Sequence, residues 1–368
     1  MGKKIKVLQI NASEEYGGVS SMLFNIYKNI DRDRFSFVFL SPNRTSFKIK
    51  KSEINQMGGK ALGLGVHTGS KITKHIKLYR ALKVFLSKNQ FDIIHINSGS
   101  KVFNALVAYC CRNNTKSKII VHSHNGNLEK KHFDKIIKNI IARNCDKKLS
   151  CSKIATKAMF QDMDNVEIIK NGIEIEKFSF DKKSRVDIRK EFSIGHDELV
   201  VCNVGRLTEQ KNQLYLLEIF SAFRKNQKSK LIIVGSGELE ETILKKAQLL
   251  GLKEDLIILK NRNDMPKIYS ATDIFVLPSL YEGLPVSAIE AQANGLPVYL
   301  SSIITKECNI TDLCKYISNT LPPKKWSDAM KKTSANNRTG YTRIVRAAGF
   351  DIVDTAKRLE NIYSELLT

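Results

Sequence analysis

The stretch YEGLPVSAIEAQANGLPV, residues 281–298, follows an apolar run at 273–277, and together they read as a strand, a loop and a helix. Pro285 suits the first helical turn, where its missing N–H costs nothing, and Gly295 with Pro297 stops the helix before a new strand at 296–300. Glu282 falls in the loop at the carboxyl end of the first strand, and Glu290 lies further along the helix, with seven residues between them. In an open α/β sheet that edge binds ligands, and a helix N-terminus there favours an anion. A carboxylate so placed accepts hydrogen bonds from the hydroxyls of a sugar or ribose. The spacing alone fits a buried helix with two solvated glutamates equally well.

The same strand–loop–helix rhythm extends in both directions. Short apolar runs at 199–204, 230–234, 255–259, 273–277 and 296–300 predict the strands of a second half. Runs at 4–10, 35–40, 92–96, 118–122, 147–151 and 166–170 predict those of a first half. Helical stretches separate the runs, which is the βαβ pattern of a parallel sheet covered on both faces. A chain of 368 residues exceeds one ordinary core. The expectation is two doubly wound, Rossmann-like domains, 1–172 and 173–348, joined near 171–183 and facing across a cleft, with a closing helix at 349–368.

Several loops at these strand ends carry chemistry. After the strand at 199–204 comes GRLTEQKN, in which Gly205 permits a tight exit and Arg206 and Lys211 place two cations just ahead of a helix N-terminus. Two cations added to a spot that already attracts anions predict a diphosphate site. Ser236 and Gly237, in VGSGEL, form a second loop, and KNRNDMP, with Asn263 and Met265, is a polar turn suited to presenting backbone groups to a nucleobase. In the first half, Gly17 and Gly18 precede a helix with apolar Met22, Leu23, Ile26 and Ile30; taken singly, the pair reads as a simple tight turn. The strand at 118–122 runs into HSHN, where His122 and His124 lack a third ligand for zinc. Asp31 and Asp33 spell DxD after a helix and read as a solvated turn.

Composition narrows the class. The seven cysteines, Cys110, Cys111, Cys145, Cys151, Cys202, Cys308 and Cys314, form no CxxC or zinc-like pair, which predicts reduced, mostly buried thiols in a cytosolic protein. The first residues run straight into a strand and do not read as a signal peptide, and no window approaches the roughly 18 apolar residues of a spanning helix. The net charge of +23 is uneven: residues 1–172 hold 31 Lys and Arg against 12 Asp and Glu. A polyanionic partner is therefore expected at the first half, as a membrane surface, a lipid head group or nucleic acid. Residues Ile72, Ile76, Tyr79, Leu82 and Leu86 predict an amphipathic helix whose stripe packs on the sheet, with Lys71, Lys74, Lys77, Arg80, Lys83 and Lys88 around it to attract an anionic bilayer.

Taken together, GRLTEQKN, VGSGEL, the segment from DMPKIYSATDIFVLPS through NGLPV, the Gly17–Gly18 pair, HSHN and NGI at 171–173 resemble the family 4 retaining glycosyltransferases of the GT-B fold. The similarity covers almost the whole chain and is nearest to bacterial capsular and exopolysaccharide enzymes, where ASEEYGGVSSM and ITDLCKYIS recur in similar form. The resemblance implies a nucleotide-diphosphate sugar as donor, expected to be a UDP-sugar. It implies transfer of a hexose or N-acetylhexosamine to a polyprenyl-diphosphate-linked saccharide, with no cofactor and no metal. By the same resemblance Arg206 and Lys211 hold the diphosphate, Glu282 binds the donor sugar, Glu290 binds the ribose and His124, in preference to His122, contacts the sugar. Gly18 offers its N–H to the distal phosphate across the cleft. The loops with Gly205, Ser236, Gly237, Asn263, Met265, Gly283 and Leu284 complete the donor site. Pro285 departs from the small residue, often glycine, found there in relatives, and removes one N–H from that loop.

The location this implies is cytoplasmic and peripheral at the inner face of the cell membrane, through the basic first domain. Two other readings remain: a sugar-nucleotide 2-epimerase of similar architecture, and a basic nucleic-acid-binding protein. The cation and carboxylate pattern points away from the first. No aromatic-rich basic strand supports the second, so no nucleic-acid partner is expected.

Overall fold

The computed structural model describes residues 3–10, 18–43, 46–47, 50–66, 71–128, 133–160, 163–331 and 338–368. The chain divides into two compact units, one of Met1–Gly172 with Ile352–Thr368 and the other of Ile173–Asp351.

The first unit alternates strands and helices: β1 (Ile5–Ile10), α1 (Gly18–Asn29), β2 (Phe35–Ser41), α2 (Lys51–Gln56), β3 (Lys60–Gly63), α3 (Lys71–Lys88), β4 (Ile93–Asn97), α4 (Lys101–Asn114), β5 (Lys118–Ser123), α5 (Asp134–Asn144), β6 (Lys147–Ser150), α6 (Lys153–Met159) and β7 (Val166–Ile168). Its strands form one parallel sheet in the order β3-β2-β1-β4-β5-β6-β7. Because successive side chains of a strand point to opposite faces, β1 divides its apolar residues between two cores. Val7 joins Met22, Leu23 and Ile26 on one face, while Leu8 and Ile10 join Leu78, Leu82 and Leu86 on the other.

The second unit runs α7 (Lys182–Glu191), β8 (Leu199–Val204), α8 (Gln213–Arg224), β9 (Ser229–Val234), α9 (Glu240–Leu249), β10 (Leu256–Leu259), α10 (Met265–Ala271), β11 (Ile274–Leu277), α11 (Val286–Ala293), β12 (Val298–Ser301), β13 (Cys314–Ile317), α12 (Pro323–Ala329) and α13 (Tyr341–Ala347). Its parallel sheet has the order β10-β9-β8-β11-β12-β13. Both sheets are thus doubly wound, the order reversing between β1 and β4 and again between β8 and β11. The last helix, α14 (Ile352–Glu365), buries Ile352, Ala356, Leu359, Ile362 and Tyr363 and packs on α1 in the first unit.

Three local expectations need correction. The strands β3 and β13 escape the sequence reading; each is a short edge strand whose solvent side carries Lys60 or Lys315. In α3 the buried stripe among the described side chains is Leu78, Leu82 and Leu86, Ile76 is 48% exposed, and the Ile72 side chain lies outside them. Leu78 stands four residues before Leu82 and so continues its face, whereas Ile76 is rotated off it. Finally, Pro285 occupies the N-cap of α11 instead of its first turn, with φ −72° and ψ 103°.

Candidate functional site

All strands of the second sheet are parallel, so the loops after β8, β9, β10 and β11 leave from one edge. The two that flank the reversal of strand order are those after β8 and β11, and the crevice at such a reversal is where open α/β sheets bind ligands. These two loops are stitched together. Leu280 donates its N–H to the Gln210 carbonyl (2.8 Å), Gln210 Nε2 donates to the Tyr281 carbonyl (3.0 Å) and Asn212 Nδ2 donates to the Pro278 carbonyl (3.1 Å).

Within that frame Lys211 Nζ lies 2.6 Å from Glu282 Oε1, and both side chains are largely withdrawn from solvent, at 15% and 8% exposure. An ammonium has three N–H donors, so Glu282 orients the group and leaves two donors for another anion. Arg206 is exposed, and among the described residues its guanidinium has no hydrogen-bonding partner. Glycine is required where the neighbouring loops nest. A Cβ on Gly205 would sit 2.7 Å from Lys211 Cε, one on Gly235 2.0 Å from the Gly205 carbonyl oxygen, and one on Gly237 2.4 Å from the Leu207 carbonyl oxygen. The loops after β8 and β9 are in backbone contact there, fastened by Leu207 N–H to the Ser236 carbonyl at 2.9 Å.

Glu290 lies one turn into α11, half-buried, and accepts a hydrogen bond from Tyr269 of α10 (2.9 Å). Burial pushes its pKa up to about 7, and the Tyr269 bond offsets part of that rise. Asn263 is exposed, Met265 opens α10, and Arg262, just before Asn263, pairs with Asp264 and Glu191. Gly283 and Leu284 are buried, so the Leu284 side chain is part of the interior.

The first unit places Gly18, exposed, as the first residue of α1. His124 follows β5, half-buried, and its Nε2 is 3.4 Å from Asn97 Oδ1 at the end of β4. Its ring centroid lies 4.1 Å from that of His122, the planes tilted by 37°, and His122 in turn stacks on His95 at 5.3 Å. Burial holds all three imidazoles neutral: the pKa of His95 and of His124 falls to about 3, and His122 lies well below its ordinary value. The DxD pair forms a turn in which Asp31 Oδ1 accepts the Asp33 N–H (2.9 Å), with Asp33 fully in solvent. Among the described residues no cluster of His, Cys, Asp and Glu is suited to a metal ion, and no helix is long and apolar enough to cross a membrane.

Sequence reasoning missed the partners of these groups. Gln210 lies inside a motif whose charged neighbours drew the argument, and Tyr269 reads as one more apolar helix residue. His95 and Gln9 sit within strands whose surroundings are hydrophobic. A polar residue in a strand buried on both faces is the signal that would have found the last two.

Comparison with known proteins identifies the family and the fold. The family described as Glycosyltransferase Family 4 matches residues 16–177, and Glycosyl transferases group 1 matches residues 184–332. The UDP-Gal:α-D-GlcNAc-diphosphoundecaprenol α-1,3-galactosyltransferase of Escherichia coli is 29% identical over 324 residues, 79% of each chain. The capsular polysaccharide biosynthesis glycosyltransferase CapH of Staphylococcus aureus is 25% identical over 373 residues, 98% of each. Among solved structures, Anabaena HepE in complex with UDP and glucose superposes with a TM-score of 0.79 at 16% identity, covering 98% of this chain and all of that one. WaaG, a glycosyltransferase of lipopolysaccharide biosynthesis, gives 0.74 at 13% identity, again over 98% of this chain and all of that one. With both family matches in their places along the sequence and this GT-B fold, the chain belongs to the family 4, group 1 glycosyltransferases.

Proposed function

We propose that this glycosyltransferase retains anomeric configuration and moves a hexose or N-acetylhexosamine from a UDP-sugar to a polyprenyl-diphosphate-linked saccharide during capsular or exopolysaccharide assembly. The observation that carries the reading is the Lys211–Glu282 pair at 2.6 Å beside Arg206, at the reversal point of the second sheet. The UDP and lipid-diphosphate parts rest on HepE, solved with UDP and glucose, and on the named substrates of the E. coli relative. In the reaction the bond from the anomeric carbon to the diphosphate oxygen breaks, and its electron pair stays on the oxygen. The acceptor hydroxyl oxygen forms the new bond, and its proton passes to the departing diphosphate. Arg206 and the two spare donors of Lys211 meet the negative charge as it develops, which stabilises the transition state more than the ground state. In this reading those two cations do the work of a metal ion, Glu282 and His124 hold the sugar, and the loops carrying Ser236, Gly237, Asn263 and Met265 hold the nucleotide. Gly18 offers its N–H to the distal phosphate.

The exposed Lys74, Lys77, Arg80, Lys83 and Lys88 of α3, with exposed Ile76 and Val84 among them, support attraction to an anionic bilayer, about 1 kcal/mol for each basic residue near the surface. This is the basis for proposing a cytoplasmic protein peripheral at the membrane. The test is to incubate the protein with UDP-, GDP- and dTDP-sugars and a lipid-linked acceptor series, with and without EDTA, and to analyse products by mass spectrometry. A hexose added from a UDP-sugar in both conditions is the expected result. Transfer that stops in EDTA removes the metal-independent mechanism, and no transfer from any UDP-sugar removes the donor.

Glu290 makes the binding step pH-dependent. Its pKa of about 7 leaves it substantially protonated in the free protein near neutrality, whereas ribose hydroxyls donate best to the carboxylate. Binding therefore lowers the pKa and releases a proton, and affinity rises with pH through 7. Titration calorimetry of a UDP-sugar at pH 6.5, in two buffers of different ionisation enthalpy, is expected to show release of up to about one proton. Glu290→Gln is expected to abolish that release and weaken binding by roughly 10- to 100-fold, as for a hydrogen bond to a charged group. Affinity that is flat with pH in the unmodified protein contradicts the assignment.

A further inference from the structure

Beneath His124 the first unit holds a closed polar network that the transfer reaction, as described, does not use. It joins β1, β4, β5 and the C-terminal helix α14. Asn97 Nδ2 donates to Gln9 Oε1 (2.8 Å), Gln9 Nε2 donates to the Tyr363 hydroxyl (2.9 Å), and that hydroxyl lies 2.8 Å from His95 Nδ1. His95 Nε2 is 3.2 Å from His122 Nδ1. Gln9, His95, Asn97, His122 and Tyr363 are all buried, at 1% exposure or less.

The polarity of the whole chain of bonds is fixed from one point. Asn97 Nδ2 also donates to the backbone carbonyl of His95 (3.1 Å), and a carbonyl can only accept. That settles which end of the Asn97 amide is nitrogen, so the Gln9 atom facing it is oxygen and the one facing Tyr363 is nitrogen. Tyr363 accepts from Gln9, and its own buried O–H then has His95 Nδ1 as its acceptor. Leaving that proton unpaired would forfeit a buried hydrogen bond. His95 is consequently protonated on Nε2 and donates to His122 Nδ1, which puts the His122 proton on Nε2. By the same logic Asn97 Oδ1 accepts from His124, whose proton is also on Nε2. Two atoms are left over: His122 Nε2–H, a donor, and His124 Nδ1, an acceptor. Both are buried and without a partner among the described residues, and their rings are 4.1 Å apart.

We propose that Tyr363, acting through His95, and Asn97 are positioning residues that lock His122 and His124 as Nε2–H tautomers, so that the two rings offer one donor and one acceptor to a single hydroxyl group of the donor sugar. A hydroxyl is the small group that both accepts and donates, and an orphaned donor beside an orphaned acceptor is its complement. Burial keeps both rings neutral through the working pH range, so the tautomers are not scrambled by protonation. The proposal rests on the reading that His124 meets the sugar, and adds His122 as a second contact and α14 as the part of the fold that sets its proton.

The test reads the tautomers directly, from the 15N shifts of the histidine ring nitrogens in the full chain. In the unmodified protein His95, His122 and His124 are all expected to show a protonated Nε2 and a bare Nδ1. Tyr363→Phe, which removes one oxygen from a buried ring, is expected to mix the tautomers of His95 and His122 and leave His124 alone. Asn97→Ala frees the Gln9 amide as well as the His124 partner and is expected to mix the tautomers of all three rings, so the assignment remains decidable if one variant fails to fold. Kinetically, Tyr363→Phe is expected to lower kcat/KM for a UDP-sugar by roughly five- to tenfold, the worth of one hydrogen bond. Against a series of deoxy-sugar donors, unmodified protein and variant are expected to converge on the one lacking the bound hydroxyl. A protonated Nδ1 on His122, or no donor on which the two converge, overturns the proposal. If no sugar nucleotide is turned over, the donor reading fails, while the ring nitrogens still report whether the relay exists.

Discussion

Arg206→Ala is expected to lose roughly 100- to 1,000-fold in turnover and almost nothing in stability, whereas Lys211→Met is expected to lose both. The difference lies in what each cation does before any substrate arrives. Arg206 is exposed and makes no side-chain bond among the described residues, so its removal leaves the free protein unaltered. Lys211 neutralises a carboxylate that is 7% exposed, at 2.6 Å. Taking the ammonium away leaves Glu282, among the described residues, with only a long 3.5 Å contact from Gln210 Nε2. Breaking a buried pair from one side costs about 3–5 kcal/mol, mostly as the price of the abandoned charge. The double variant Lys211→Met/Glu282→Gln removes that charge, and is expected to recover most of the melting temperature while turnover stays low. Thermal unfolding and initial rates on the four proteins decide the matter. Turnover restored in the double variant would show that the pair is a structural clamp only, and equal melting losses for Arg206→Ala and Lys211→Met would show that the pair adds no stability of its own.

The central strands and the loops after them were legible because their chemistry is local. β8 and β11 are buried along their whole length apart from the half-buried Val204, so they appear as apolar runs broken only by Asn203 in β8, and the Gly, Arg, Lys and Glu that follow stand out against them. Edge strands lack that contrast. In β13 only Cys314 is buried, Tyr316 and Ile317 are half-buried, and exposed Lys315 interrupts an apolar run too short to register. The stripe of α3 was displaced for a related reason: isoleucine and leucine look alike in a period count, and only the sheet beneath decides that Leu78 is in and Ile76 out. Groups that complete the site from a distance were not legible at all. Tyr269 lies 21 positions from Glu290, and Tyr363 lies 354 from Gln9, so nothing in either neighbourhood announces the other. Motif spacing reports ligand-facing residues, while the residues that orient them are placed by topology.

Arg338 shows how far that hidden layer extends, and Arg338→Met is expected to be among the most destabilising single changes in the second unit. The short helix α10 ends against β11, and its last carbonyls have no partners within the helix. Arginines supply them. Arg338 donates to the Thr272 carbonyl (2.7 Å) and the Tyr269 carbonyl (2.9 Å), and Arg185 donates to the carbonyls of Ser270, Ala271 and Thr272. Arg338 also holds the end of α11, through the Asn294 carbonyl (3.1 Å) and the Asn294 side-chain oxygen, while its guanidinium lies 4.4 Å from the Phe180 ring centroid. Burial and the neighbouring Arg185 work against its charge, and Asp273 supports it. Methionine fills similar volume but takes the donor from the Asn294 carbonyl and side-chain oxygen, and leaves the Thr272 and Tyr269 carbonyls with only Arg185 and the Thr272 N–H among the described residues. The expected cost of roughly 3–5 kcal/mol lowers the melting midpoint by about 6–20 °C for a unit of this size. Lysine is expected to rescue little, since one ammonium cannot donate in the three directions that the planar fork covers. Because α10 carries Tyr269 and α11 carries Glu290, loosening their junction also weakens the hydrogen bond that orients Glu290. Nucleotide affinity of Arg338→Met, measured well below its midpoint, is therefore expected to fall as well. An unchanged affinity in a destabilised variant would mean that the clamp serves the fold alone, and an unchanged midpoint would mean that these carbonyls find other partners.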